Sequence, residues 1–188
     1  MFKLHETGIA DCFEIDCPTF RDKRGSFVKT FHQDAFSELG LATHFAEEYY
    51  SMSRKNVLRG LHFQLPPMDH EKLVYCLSGS VLDVVLDIRV DSPTFGEHRL
   101  VELSADKGNM VYMPRGIAHG FLVTSDHAVM QYKVTSVYSS AHDSGILWDS
   151  AGIHWPASRP ILSARDSSFP AFGDFISPFT LAGDRNAR

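Results

Sequence analysis

The sequence predicts an all-β fold, a sandwich or barrel of the jelly-roll kind, on three observations. Short strand-like runs recur between Gly, Pro, Asp and Ser; one of them alternates strictly; and the βαβ alternation of a parallel sheet is missing. The alternating run is Val81 to Val90, with Leu82, Val84, Leu86, Ile88 and Val90 on one face and Val81, Asp83, Val85, Asp87 and Arg89 on the other. Carboxylates and a guanidinium on the second face predict a strand buried on one side only. Lys72 to Leu77 precedes it across Ser78-Gly79-Ser80, a glycine turn that predicts an antiparallel hairpin. Val57 to Phe63, Leu100 to Leu103, Met110 to Met113, Gly120 to Val123 and Ala128 to Val134 are further strands, and DSPTFG at 91–96 is a loop. The one helix expected spans Asp34 to Leu39, with Asp34 as N-cap and Gly40 at C′. Few and short helices complete the expectation.

At 188 residues, the chain is expected to form a single domain, 1–188, with a barrel core over about 20–137, an irregular or helical segment over about 138–176 and a flexible tail at 181–188. A hydrophobic fraction of 44% with 14 Phe excludes a disordered or low-complexity chain. The net charge of -5 carries no basic field for nucleic acid. Cys12, Cys17 and Cys76 form no CxxC pair, and an odd count suits a reducing compartment. His5 and Glu6 interrupt any signal-peptide core, and no run reaches the ~18 apolar residues of a membrane helix. The expected setting is the cytoplasm, with no membrane partner. GxGxxG, Walker, GxSxG and HExxH motifs are missing, which removes dinucleotide, P-loop, serine hydrolase and zincin readings.

Gly108-NMVYM-Pro114-Arg-Gly116-IA-His119 fits G(x)5PxG(x)2H, the second signature of the cupin barrels, in every fixed position. A bare hairpin would explain it less well than a barrel strand whose first inward residue is a histidine. The companion signature would supply HxH and a later Glu as metal ligands. Here Gln64 stands in place of the second histidine, with Met68 and Asp69 where the Glu would help, so a metal site is disfavoured. His62 and Gln64 still share one strand face. Arg59 precedes a glycine that allows close backbone approach to a ligand. Lys72 opens a strand and reads as either a solvated edge lysine or a pocket cation, and Tyr132 shares an inward face with Met130 and Val134. The other histidines, His5, His32, His44, His70, His98, His127, His142 and His154, show no ligand spacing and read as surface or structural.

RGLHFQ at 59–64, KLV at 72–74, DSPTFG at 91–96, MPRGIAHGF at 113–121, QYK at 131–133 and LSARD at 162–166, in that order, resemble the dTDP-4-dehydrorhamnose 3,5-epimerase family. FRDKRGSF at 20–27 and GILWDS with HWP at 145–156 extend the resemblance. It implies a dimeric cupin-type jelly-roll barrel without metal or cofactor, acting on a nucleotide-linked 4-keto-6-deoxyhexose in deoxysugar biosynthesis of the dTDP-L-rhamnose type. Inversion at C3 and C5 then proceeds by proton removal and return next to the C4 ketone. By similarity His62 is the base, and Asp166 orients it and raises its basicity. Lys72 stabilises the C4 oxyanion, and Tyr132 returns a proton to the opposite face. Arg59 and Arg24, the latter from the partner subunit, resemble diphosphate contacts. His119 resembles a pocket histidine, and Phe27 and Tyr138 are candidates for nucleoside stacking.

Departures from the family pattern cluster. Glu47 and Tyr49 replace a common Gln and Asn, and Lys29 replaces a common Glu, whereas His62, Lys72, Tyr132 and Asp166 are kept. The chemistry is thus expected to persist with altered recognition around Glu47, Tyr49 and Lys29, and Gln64 is a further substrate-binding candidate. An acidic Glu47 could accept from cytosine N4, which makes a CDP-linked sugar one alternative. A C3-only epimerase is another. A metal-binding cupin oxygenase or sugar-binding module, with His62 and His119 as ligands, is the rival from a different class.

Overall fold

A computed structural model describes residues 1–181. The expected tail, apart from Leu181, lies outside the described residues. In chain order the strands are β1 (Lys3–Glu6), β2 (Phe13–Asp16), β3 (Thr19–Asp22), β4 (Gly25–Val28), β5 (Glu47–Arg54), β6 (Leu58–Gln64) and β7 (Lys72–Ser78). They continue as β8 (Ser80–Asp87), β9 (His98–Ser104), β10 (Asn109–Met113), β11 (Ile117–Val123), β12 (His127–Val134) and β13 (Asp143–Gly145). Helix α1 (Gln33–Glu38) lies between β4 and β5, and 3-10 turns occupy Asp166–Ser168 and Phe172–Asp174. Two antiparallel sheets form the barrel walls, one ordered β1-β2-β10-β7-β12-β5 and the other β13-β6-β11-β8-β9. The fold is the expected cupin-type jelly roll.

The interior is filled from both walls by residues such as Val74, Cys76 and Met130 from one sheet and Val81, Val85 and Phe121 from the other. Each outer face is covered separately. Phe36 of α1, fully buried, packs edge-on against Phe2 and Phe31 with centroids at 5.2 and 5.0 Å, closing the six-stranded sheet. Val84, Leu86 and Ile88 are covered by Ile146, Ile153 and Phe179 of the C-terminal segment. Burying one such side chain stabilises the fold by roughly 1.5–3 kcal/mol, so the irregular segment is a structural layer despite its lack of regular structure.

Several expectations are corrected here. The Ser78-Gly79-Ser80 turn does not make a hairpin, because β7 and β8 belong to different sheets. Gly79 sits at φ +80° with the His127 carbonyl 2.0 Å from where a Cβ would be, so the chain turns a tight corner from wall to wall. The segments flanking Pro114-Arg115-Gly116 likewise cross between sheets. The Val81 to Val90 run is strand only to Asp87 and is buried on both faces, with Asp83, Asp87 and Arg89 at 0% exposure. Its polar face looks inward, not to solvent: Asp87 and Arg89 form a buried pair at 2.8 Å, and Asp83 serves the site. The barrel sheet begins at Lys3 rather than near residue 20, since β1 and β2 extend it. Helix α1 starts earlier than expected. Its cap is His32, whose Nδ1 accepts from Ala35 N–H at 3.4 Å, leaving Asp34 in the first turn beside the positive end of the helix dipole.

Candidate active site

A cavity of about 400 Å³ opens between the walls and is lined by residues from both. From the five-stranded sheet come Arg59, His62 and Gln64 of β6 and His119 of β11; from the six-stranded sheet come Tyr49 and Ser51 of β5, Lys72 of β7 and Tyr132 of β12. His62 and His119 are direct cross-strand partners. The two strands approach closely because Gly60, at φ +128°, faces Gly120, whose Cα is 2.5 Å from where a Gly60 Cβ would be. Gly60 therefore admits neighbouring backbone rather than a ligand, which corrects the reading of Arg59-Gly60.

His62 Nε2–H donates to Asp166 Oδ1 at 2.6 Å, which leaves the lone pair on Nδ1. The imidazole is 27% exposed and its carboxylate partner 4%, so the ring faces the cavity while the carboxylate stays behind it. Burial pushes the His62 pKa down, the Asp166 bond and charge push it up, and Arg165 and Lys72 push it down again; the net direction is down. Asp166 raises the basicity as expected, but desolvation of the imidazolium is the larger effect. Desolvation thus favours the neutral form of the ring. Asp166 is itself raised by burial, but its bond to His62, the Gly60 N–H and Ser163 hold it below the usual carboxylate range.

On the facing wall Tyr132 stacks on Tyr49 with centroids 4.8 Å apart and an interplanar angle of 17°, and its hydroxyl shares a 3.0 Å hydrogen bond with Ser51. Burial raises the phenol pKa further above its ordinary value, so the proton stays on oxygen. Lys72 is 7% exposed, and burial, only partly offset by Asp83 and Asp143, lowers its pKa to about 8. This excludes the solvated-edge reading. His119 Nε2 meets Asp83 Oδ2 at 2.7 Å, both fully enclosed. Arg59 Nε–H donates to Ser53 Oγ at 2.9 Å.

Other expected contacts are redistributed. Gln64 spends its amide on backbone, donating to the Met68 carbonyl at 2.8 Å and accepting from Ser139 N–H at 2.6 Å. Glu47 Oε2 accepts from Tyr138 N–H at 2.5 Å, and Tyr138, largely exposed, stands at the mouth. Arg24, Phe27 and Lys29 are not among the lining residues of this chain. Arg24 pairs with Asp22 at 2.5 Å on the separate β3–β4 hairpin, where Phe27 is exposed beside Phe20.

Sequence reading missed Ser51, Asp143, Arg165 and His70. Tyr49, Ser51 and Ser53 lie on one face of β5 by period-2 alternation, a signal present in EEYYSMSR at 47–54. Arg165 pairs with Asp143 at 2.6 Å at the rim. His70 is not a surface group: it lines the cavity, and burial with Lys72 and Arg115 nearby lowers its pKa to about 3.

A barrel with an imidazole on one wall of a cavity and a phenol and an ammonium on the other has the make-up of the cupin-type epimerases. A family model described as dTDP-4-dehydrorhamnose 3,5-epimerase matches residues 6–174. A dTDP-4-dehydrorhamnose 3,5-epimerase of Shigella flexneri is 43% identical over 172 residues, 90% of this chain and 95% of that protein. A crystal structure of a dTDP-6-deoxy-D-glucose-3,5-epimerase from Legionella pneumophila, in complex with dTDP-4-keto-L-rhamnose, matches with a TM-score of 0.89 at 34% identity, over 94% of this chain and 95% of that one. A dTDP-4-dehydrorhamnose 3-epimerase of Streptomyces niveus is 37% identical, covering 87% of this chain and 81% of that protein. The chain belongs to the dTDP-4-dehydrorhamnose 3,5-epimerase family, and it is an isomerase of nucleotide-linked deoxysugars.

Proposed function

We propose that the protein inverts C3 and C5 of dTDP-4-keto-6-deoxyglucose with His62 as base and Tyr132 as acid. The observation that carries this reading is that the two groups stand on different sheets of the barrel, facing one cavity. Inversion needs removal of a proton from one face of the sugar and delivery to the other. His62 Nδ1 takes the proton from C3, and the C–H electron pair moves into an enolate whose charge rests on O4. The Lys72 ammonium stabilises that oxyanion in a water-poor site. Tyr132 gives its hydroxyl proton to the opposite face of C3, and the phenolate recovers a proton from solvent while His62 releases its own. The same cycle at C5 completes the reaction without net oxidation or reduction.

Arg59 and His119 bind the substrate's diphosphate and sugar in this reading, and Glu47, Tyr49, Gln64 and Tyr138 shape the cavity wall and mouth. The active form is a homodimer in the cytoplasm, in which the exposed β3–β4 hairpin brings Arg24, Phe27 and Lys29 to the partner's cavity. The exposed Phe20 and Phe27 rings support that placement, since apolar surface of this kind is usually covered. Consistent with the cytoplasm, no helix among the described residues is long and apolar enough to cross a membrane.

The test is incubation with dTDP-4-keto-6-deoxyglucose in deuterated water, followed by mass and NMR analysis. Deuterium at both C3 and C5 with inverted product is expected. Label at C3 alone would establish instead the C3-only reading, which the likeness to the Streptomyces niveus 3-epimerase supports. No label, with label in the CDP-linked analogue, would overturn the choice of nucleotide.

A further inference from the structure

The base is held by more than its carboxylate. The segment that supplies Asp166 also supplies Phe169, whose ring meets the His62 imidazole edge-on at 5.7 Å and 71°. Arg165, from the same turn, lies over the Phe169 ring at 5.1 Å and is tied to Asp143. Room for the ring exists only because position 145 is glycine. A Cβ there would lie 2.4 and 2.6 Å from two Phe169 ring carbons, and Gly145 is the direct cross-strand partner of His62. Phe169 does not line the cavity, so it acts behind the base rather than on the substrate.

We infer that Phe169, seated in the slot that Gly145 leaves open, is a positioning residue that fixes the His62 ring and keeps water from the His62–Asp166 hydrogen bond. A carboxylate alone leaves an imidazole free to rock about the bond that holds it, and a flat apolar edge on its side removes that freedom. The charged and titratable groups around His62 are Asp166 and Arg165 from the C-terminal turn, Lys72 from β7, His119 from β11 and Asp143 from β13. Loss of the ring leaves these in place and hydrates the imidazole. Its acid limb then moves to higher pH, because burial is the main influence holding it down.

The inference rests on the proposed role of His62, and one experiment separates the two. The pH profiles of kcat and kcat/KM are measured on dTDP-4-keto-6-deoxyglucose for the unaltered protein, Phe169→Ala and Phe169→Tyr. Failure of the unaltered protein to turn over this substrate would count against the proposed function. Given turnover, Phe169→Ala is expected to lose about ten- to hundredfold in kcat, with KM little changed and the acid limb moved upward. Phe169→Tyr, which keeps the ring edge, should restore both. A kcat loss without movement of the limb would reduce Phe169 to filler, and a rise in KM alone would make it a substrate contact; either overturns the inference. Should Phe169→Ala not fold, Phe169→Leu keeps the slot filled. A smaller shift in the same direction then supports the inference, and an unmoved limb overturns it.

Discussion

The His62 side and the Tyr132 side of the cavity are built by different means. His62 is held by a turn of the irregular C-terminal segment, 104 positions away in sequence, through one charge-assisted hydrogen bond and one ring edge. Tyr132 is held by its strand neighbour: Tyr49 is its cross-strand partner in the β12–β5 register, and Ser51 lies two residues further on the same face. Orientation of the phenol is therefore a property of sheet pairing, and orientation of the imidazole a property of how a coil docks. The His62 side should respond to charge and hydration, the Tyr132 side to packing.

The largest effect separates the two groups themselves. His62→Ala is expected to lose on the order of 10²–10⁴-fold in both deuterium exchange and epimerised product. Tyr132→Phe should lose inverted product on a similar scale while His62 still washes deuterium into substrate of unchanged configuration. Equal loss of exchange and inversion in Tyr132→Phe would show that the two groups do not act on opposite faces.

The pH profile sharpens the comparison next. Asp166→Asn removes the interactions that raise the His62 pKa and leaves burial, Arg165 and Lys72, which lower it. The acid limb should move to lower pH, opposite to Phe169→Ala, with kcat reduced about ten- to hundredfold through loss of orientation. The alkaline limb should stay in place in both variants, because it reports Lys72 losing its proton as pH rises through about 8. Movement of both limbs in either variant would mean that the base and the oxyanion cation titrate as one unit.

The smallest effect belongs to the acid's support. Tyr49→Leu gives up the stacked ring, worth about 0.5–1.5 kcal/mol, and should lower the thermal midpoint by a few degrees. Activity should fall less than tenfold, since Ser51 still holds the hydroxyl. A larger activity loss with unchanged stability would make Tyr49 a substrate contact, as the departure at this position from the family pattern would allow.

Much of this was legible along the chain. His62, Tyr132 and His119 stand in strand motifs that point them inward, Lys72 reads equally as an edge lysine, and Asp166 is legible only through the LSARD resemblance. β5 is readable in principle from the alternation of Tyr49, Ser51 and Ser53, but the run EEYYSMSR is polar and has no apolar face to mark it as a strand. Phe169 and Gly145 had no such signal, because a phenylalanine in a coil and a glycine in a short strand acquire meaning only where they meet.

The sequence alone determined the all-β class and most strand positions, because each is encoded in residues adjacent or alternating along the chain. Only the tertiary structure decided which strands share a sheet, that the polar face of β8 looks inward, and that His62 meets Asp166 and Phe169 of a distant turn. Those outcomes depend on the register between walls and on the burial of the C-terminal layer. Burial also settled a sign: it outweighs the carboxylate at His62, and no reading of neighbours in sequence could weigh that desolvation.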